Sequence, residues 1–177
     1  MQFNSLSVSR KFLPAAVLLF LIASALTSSA SAQTTPRPCD LYAAQTPCVA
    51  AYSTTRALYS KYKGPLYQVT RQSDNKYTKI GLLPDGYANS ATQDSFCAGT
   101  TCVITEIYDQ SGHGNNLTDA PGGGAASGPD NLANATAAPA MAGGHKVYGV
   151  YVAPGTGYRD DSTSGIATGD NPEGEYA

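Results

Sequence analysis

The chain has 177 residues, 42% of them hydrophobic and 14% charged, with a formal net charge of −2. That length suits one domain, and so mild an acidity, with Lys and Arg scattered singly, excludes the basic footprint of a nucleic-acid binder or an attraction to anionic membranes. A protein that binds neutral material such as polysaccharide needs no strong field.

The first thirty-two residues read as a targeting segment. Arg10 and Lys11 precede the apolar run Phe12 to Leu26, and Ala30-Ser31-Ala32 offers the small-residue cleavage pattern of a secretory signal peptide. A membrane anchor is the competing reading, but the run is short and weakly flanked for a span. Cleavage after Ala32 leaves residues 33–177, which number 145 and carry a charge of −4. The expectation is a secreted, extracellular protein with no membrane attachment after cleavage.

Gln33 to Pro38 is a polar, proline-bearing lead-in expected to be disordered. Thr46-Pro47 looks like a helix start, because threonine can cap free backbone N–H groups and proline is tolerated at the first helical position. The helix would run through Val49, Ala50, Ala57 and Leu58 towards Tyr62, with Gly64-Pro65 as its stop. Cys48 would pin its first turn to the N-terminal loop.

From Leu66 the pattern shortens. Leu66 to Arg71 alternates, and Tyr77 to Leu83 gives a second run after the turn Ser73-Asp74-Asn75, which together predict a β-hairpin. Pro84-Asp85-Gly86 ends it. Ala91 to Phe96 reads as one helical turn leading into Cys97. The stretch Cys97 to Thr118 then opens with two cysteines, continues through Val103, Ile104, Thr105, Ile107 and Tyr108 as a core strand, and breaks at Asp109-Gln110-Ser111-Gly112 into a polar turn. Pro121 to Ala142, rich in Gly, Ala and Pro, reads as loop, and Lys146 to Val152 as another strand, with Gly149 marking a bulge or a close backbone approach. The residues after Ala153 are polar and glycine-rich and promise little burial. Since β-sandwiches and barrels often need 200–250 residues, about four strands in this length read as an incomplete, truncated domain.

Cys39, Cys48, Cys97 and Cys102 make an even count in an exported chain and read as disulfides. Three connectivities are possible, and the low entropy of closing short loops favours Cys39 with Cys48 and Cys97 with Cys102. A zinc site is the rival, but only two histidines are present, neither at ligand spacing from a cysteine pair. No cofactor or metal is expected.

General acid–base chemistry of the two-carboxylate kind needs a pair of carboxyl groups held at a set separation. Glu106, Asp109, Asp160, Asp161, Asp170, Glu173 and Glu175 are available. Glu106 alternates with Ile104 and Tyr108 and is expected on their strand face in a partly exposed position, and Asp109 is expected to cap its own turn. His113 and His145 sit in glycine-flanked contexts that argue no triad. The twelve tyrosines could stack on sugar rings but are read as core and rim residues of a sandwich. Asn116-Leu117-Thr118 and Asn134-Ala135-Thr136 fit the glycosylation acceptor pattern.

Cys39-Asp40-Leu41-Tyr42, Thr46-Pro47-Cys48-Val49-Ala50, Ser53-Thr54-Thr55-Arg56-Ala57-Leu58-Tyr59, and Gly64-Pro65-Leu66-Tyr67-Gln68-Val69 resemble the start of the catalytic domain of the secreted α-L-arabinofuranosidase B family, glycoside hydrolase family 54. The likeness continues through Phe96-Cys97-Ala98, Thr100-Thr101-Cys102, Ile107-Tyr108-Asp109-Gln110-Ser111-Gly112 and Pro154-Gly155-Thr156-Gly157-Tyr158-Arg159, and so covers essentially all of residues 33–177. The aspartate-glutamine-serine-glycine turn alone is also a feature of other concanavalin-like modules. The resemblance implies an all-β, concanavalin-like β-sandwich, incomplete in this chain, with one short N-terminal helix; disulfides Cys39 to Cys48 and Cys97 to Cys102; and removal of terminal arabinofuranosyl groups from the plant cell-wall polysaccharides arabinoxylan or arabinan. It also implies that the catalytic residues lie beyond Ala177, so none is assigned here. A non-catalytic, concanavalin-like carbohydrate-binding module is the alternative.

Overall fold

The structure is a computed structural model and describes residues 35–124 and 126–175. The expected signal segment, 1–32, lies outside the described residues. No helix among the described residues is long and apolar enough to cross a membrane.

In chain order the elements are α1 (Pro38–Tyr42), β1 (Tyr67–Arg71), β2 (Tyr77–Ile80), α2 (Ser90–Phe96), β3 (Cys102–Ile107), β4 (Thr118–Asp119), β5 (Pro139–Ala142), β6 (His145–Tyr148) and β7 (Tyr158–Arg159). The all-β class is borne out. β1 is the centre of an antiparallel sheet of order β2-β1-β3, while β4 pairs with β7 and β5 with β6. The expected hairpin is β1–β2, joined through Asn75 at φ 58. The expected core strand is β3.

The inner face of the three-stranded sheet carries Tyr67, Val69, Ile80 and Ile104, all fully buried, with Ile107 nearly so. The same buried cluster takes in Val147 of β6, Ala135 and the Cys97–Cys102 pair, whose Cys102 opens β3. These elements share one buried core, in keeping with a sandwich. Full burial of side chains this large contributes about 1.5–3 kcal/mol each, so this face is where the cohesion of the domain is concentrated.

A bulge resets β3. Gln68 lies opposite Glu106 but Val69 lies opposite Ile104, which leaves Thr105 as the extra residue. Ile104 and Ile107, three apart, therefore both point inward, while Thr105 and Glu106 both face outward. Glu106 accordingly does not share a face with Ile104, contrary to strict alternation. It joins Tyr108, whose hydroxyl meets Gln68 Oε1 at 3.4 Å. Thr105 fills the outer face by bonding Gln68 Nε2 and Thr70 Oγ1, each at 3.0 Å.

The helix expected over Thr46 to Tyr62 is absent, and the short helix lies earlier, on the Cys39 side of the first disulfide. Residues 46–62 run as turns and bends because their backbone donors find acceptors elsewhere. Ala51 N–H donates to Asp109 Oδ1 (2.9 Å), Ala57 N–H to the Gly86 carbonyl (2.8 Å) and Leu58 N–H to Gln110 Oε1 (2.6 Å). Ser53 Oγ accepts from the N–H groups of Thr55 and Arg56, the local competition that makes serine and threonine poor helix interiors.

Three other expectations shift. The end of the lead-in is anchored, with Arg37 N–H donating to Asp40 Oδ2 (2.8 Å) and its guanidinium to the carbonyls of Ala57 (3.2 Å) and Asp85 (2.6 Å). The last four residues of the expected loop Pro121 to Ala142 form β5, turned onto β6 by Gly143 and Gly144 at φ 57 and 83, the positive angles that a tight hairpin needs. β6 in turn stops at Tyr148, leaving Tyr151 and Val152 exposed. The polar tail also contributes more than its composition promises, since the Tyr158 hydroxyl donates to the Ile104 carbonyl (2.7 Å) and accepts from Ala133 N–H (2.8 Å).

Candidate functional site

Directly after β3 the chain enters the turn at Asp109. This carboxylate is buried, 7% exposed, and both of its oxygens are occupied. Oδ1 accepts from the N–H groups of Ala51 (2.9 Å) and Ser111 (2.8 Å), and Oδ2 accepts from Ser111 Oγ (2.6 Å) and Asn115 N–H (3.2 Å). A carboxylate so enclosed ties three chain segments together and has no lone pair directed at a substrate. The expected turn cap is there, and it extends further than a local turn through Ala51.

The neighbours complete a knot. Gln110, 4% exposed, receives Leu58 N–H at its Oε1 and sends its Nε2 to the carbonyls of Ser53 (3.3 Å) and Arg56 (3.2 Å). Asn115, 1% exposed, donates Nδ2 to the carbonyls of Val49 and Ser164, both at 2.9 Å, and accepts from Ser164 N–H at 2.6 Å. Sequence reasoning missed Asn115. Its only signal is an asparagine within a glycine-flanked turn, which does not reveal the partner forty-nine residues later.

Tyr59, Lys61, Tyr62, Asp109, Gln110 and Ser111 surround a shallow cavity of about 280 Å³. Burial, then the Asp109 carboxylate, raises the phenol pKa of both Tyr59 and Tyr62. Burial, with Asp109 and Asp160, pushes nearby Tyr52 up to about 12. These phenols therefore stay protonated at neutral pH as hydrogen-bond donors: Tyr62 to the Pro65 carbonyl (2.5 Å), Tyr59 to Cys48 (3.0 Å) and Tyr52 to Asn115 (2.5 Å). The cavity offers aromatic faces and fixed dipoles but no reactive pair. A second cavity of about 680 Å³ lies between Arg37, Arg56, Tyr62, Leu83, Asp85 and Tyr87.

Several other carboxylates are also engaged. Glu106 Oε1 accepts from Asn116 Nδ2 (2.8 Å), Asp94 binds Lys146 Nζ (3.0 Å) and the Tyr148 hydroxyl (2.6 Å), Asp85 meets His145 Nε2 (2.5 Å), and Asp161 pairs with Arg159. Asp160 caps Ser162 N–H. Asp170, Glu173 and Glu175 lie on the exposed tail. The structure does not assemble the sequence-nominated acids into one site. Among the described residues no hydroxyl bonds the ring of His113 or His145, and no group of three or more His, Cys, Asp or Glu is placed to hold a metal. The cysteines pair as Cys39–Cys48 and Cys97–Cys102. The tyrosines divide as expected into core (Tyr67, Tyr148) and surface (Tyr77, Tyr151).

Comparison with known proteins gives this arrangement a context. The sequence profile described as "Alpha-L-arabinofuranosidase B, catalytic" matches residues 38–177. A probable alpha-L-arabinofuranosidase B of Aspergillus terreus is 63% identical over 146 residues, 79% of this chain and 29% of the relative. An alpha-L-arabinofuranosidase of Hypocrea jecorina is 61% identical over 145 residues, again 79% and 29%. Among solved structures, an arabinofuranosidase complexed with arabinofuranosyl-alpha-1,2-xylobiose superposes with a TM-score of 0.73 at 56% identity, covering 76% of this chain and 29% of that one. A GH54 a-l-arabinofuranosidase soaked with a cyclic sulfate inhibitor gives 0.73 at 55%, with the same coverage. The chain spans less than a third of the length of these curated relatives.

Proposed function

The chain belongs to the alpha-L-arabinofuranosidase B catalytic family, and from that premise we propose that it is the N-terminal portion of a secreted glycoside hydrolase. The complete enzyme removes terminal α-L-arabinofuranosyl groups from arabinoxylan or arabinan. Its route is the retaining one, in which one carboxylic acid protonates the leaving oxygen and a carboxylate about 5–5.5 Å away attacks the anomeric carbon. The solved relative that holds an arabinofuranosyl-xylobiose supports a polysaccharide of that chemistry.

The observation that carries the division of labour is the saturation of Asp109. The one buried acid among the described residues, Asp109, already accepts four hydrogen bonds, and Glu106 is held by Asn116. Both are engaged by the fold itself, which supports a catalytic pair in sequence following Ala177. On this reading the present chain supplies scaffold for that pair.

Assay of the 177-residue chain on an aryl arabinofuranoside, beside the same chain extended by the codons that follow, tests this. The expected result is turnover by the extended protein alone. Turnover by the 177-residue chain would place the reacting carboxylates within it. Saturable binding of arabinoxylan by the short chain, with no turnover from either form, would favour the non-catalytic carbohydrate-binding module.

A further inference from the structure

The sequence holds two N-glycosylation acceptor triplets, and the fold treats them differently. Asn116 is half-buried and both ends of its amide are in use: Oδ1 accepts from Asp109 N–H at 3.0 Å and Nδ2 donates to Glu106 Oε1 at 2.8 Å. The nitrogen that would carry a sugar is held between the Asp109 turn and the outer face of β3. The next residue, Leu117, packs against the core and exchanges backbone hydrogen bonds with Ile107 at 2.9 Å in both directions. A sugar ring on Asn116 Nδ2 would have to separate that turn from the strand.

Asn134 is exposed, between Ala133 and Ala135, which are 2% and 0% exposed. The alternation directs its side chain away from the core. Its backbone is fixed by Ile104 N–H donating to the Ala133 carbonyl and Ala135 N–H to the Cys102 carbonyl, each at 2.9 Å. Its Oδ1 accepts from both the backbone N–H (2.9 Å) and the hydroxyl (3.0 Å) of Thr136. The third residue of the triplet thus already holds the amide carbonyl, and Nδ2 donates to no protein group among the described residues.

The geometry points to Asn134 as an N-linked glycan site of the exported protein, and to Asn116 as an unmodified acceptor triplet. In the transfer, Nδ2 forms a bond to the anomeric carbon of an oligosaccharide carried on a lipid pyrophosphate. The carbon–oxygen bond to the pyrophosphate breaks, the lipid pyrophosphate leaves with that electron pair, and one amide proton is lost to solvent. At Asn134 the finished fold accommodates the product, because the glycan projects into water from a strand-like edge. At Asn116 it would remove the support of Asp109 N–H and Glu106, so copies modified there would be missing from the secreted, folded pool.

This inference rests on the export reading, and its test separates the two. The full chain is produced in a eukaryotic secretory host, recovered from the medium, treated with a peptide-N-glycosidase and mapped by mass spectrometry. Conversion of Asn134 to aspartate, with Asn116 unchanged, is the expected result. Thr136→Ala should abolish the glycosidase-sensitive mobility shift, Thr136→Ser should keep it, and Asn116→Gln should leave it unchanged. An exported chain, cleaved near Ala32, with unmodified Asn134 or with a glycan on Asn116 overturns this inference alone. A chain retained in the cell with residues 1–32 attached overturns export, and this inference with it.

Discussion

The Asp109 turn and the β5–β6 hairpin are both loops that fold back on the core, yet they are held by opposite means. The turn is an interior knot: Asp109, Gln110 and Asn115 are nearly inaccessible, and their side chains bond backbone groups from residues 49–58 and from Ser164. The hairpin is held mainly by its own ladder and by positive φ at Gly143 and Gly144, with side chains of Thr54, Ser90 and Asp94 touching only β6. Only Val147 and Tyr148 of β6 are buried, and Met141 of β5 is 70% exposed. The knot couples distant segments, so losing one of its members should be felt across the domain; the hairpin is a local structure whose loss should stay local.

Removal of the Asp109 carboxylate is the strongest challenge to that contrast. Asp109→Ala strands the N–H groups of Ala51, Ser111 and Asn115 and leaves the Ser111 hydroxyl only the Val49 carbonyl as acceptor. An unsatisfied buried donor costs about 1–3 kcal/mol, and several together predict a loss of about 3–5 kcal/mol. Urea unfolding followed by far-UV circular dichroism should show the midpoint fall for the whole transition. A loss under about 1 kcal/mol would mean that water replaces the carboxylate and that the knot is no more cohesive than the hairpin.

The same contrast explains what was legible in the sequence. The β1–β2 hairpin and β3 were readable because their side chains alternate or branch at Cβ and their turns hold Asp-Asn, all local signals. The bulge at Thr105 was not, since it exists only in the register of β3 against β1, and so Glu106 was expected on the face of Ile104. The false helix over Thr46 to Tyr62 came from a start signal that is correct in isolation but loses to Asp109 and Gln110, which lie fifty or more residues away and take its backbone donors. Asn115 and Ser164 were invisible for the same reason. The Gly143-Gly144 turn carried a real hairpin signal, but Pro139 to Ala142 lacks the branched and aromatic residues that would have announced a strand. The disulfide pairing needed only loop length and order.

Gly144 probes the hairpin side. Its φ is 83, and a Cβ built there meets nothing within 4 Å, so Gly144→Ala introduces backbone strain without a clash. A left-handed non-glycine residue costs about 1–2 kcal/mol, and the expected loss is at the lower end of that range. Native-state hydrogen exchange should show faster exchange confined to residues 139–148, with protection of the Ile104 and Ile107 amides unchanged. Equal acceleration at both places would show that the hairpin and the knot unfold as one unit.

Tyr148 tests where the two regions meet. Its hydroxyl donates to Asp94 Oδ1 at 2.6 Å, and Lys146 Nζ reaches the same carboxylate at 3.0 Å, so β6 is tied to the polar side of α2. The Tyr148 hydrogen bond is the largest influence on Asp94 and lowers its pKa below the ordinary 3.8; burial opposes it and Lys146 assists. An aspartate whose folded pKa is depressed contributes stability that is present above its unfolded value and is lost as pH falls through the folded one. Because the Asp94 side chain is 39% exposed, solvent screens the contribution, and Tyr148→Phe should cost under about 1 kcal/mol at neutral pH. The gap between the parent and Tyr148→Phe should narrow as pH drops below 3.8 and Asp94 takes up its proton. A gap that stays constant from neutral pH to below that value would show that the hydroxyl contributes independently of the charge on Asp94.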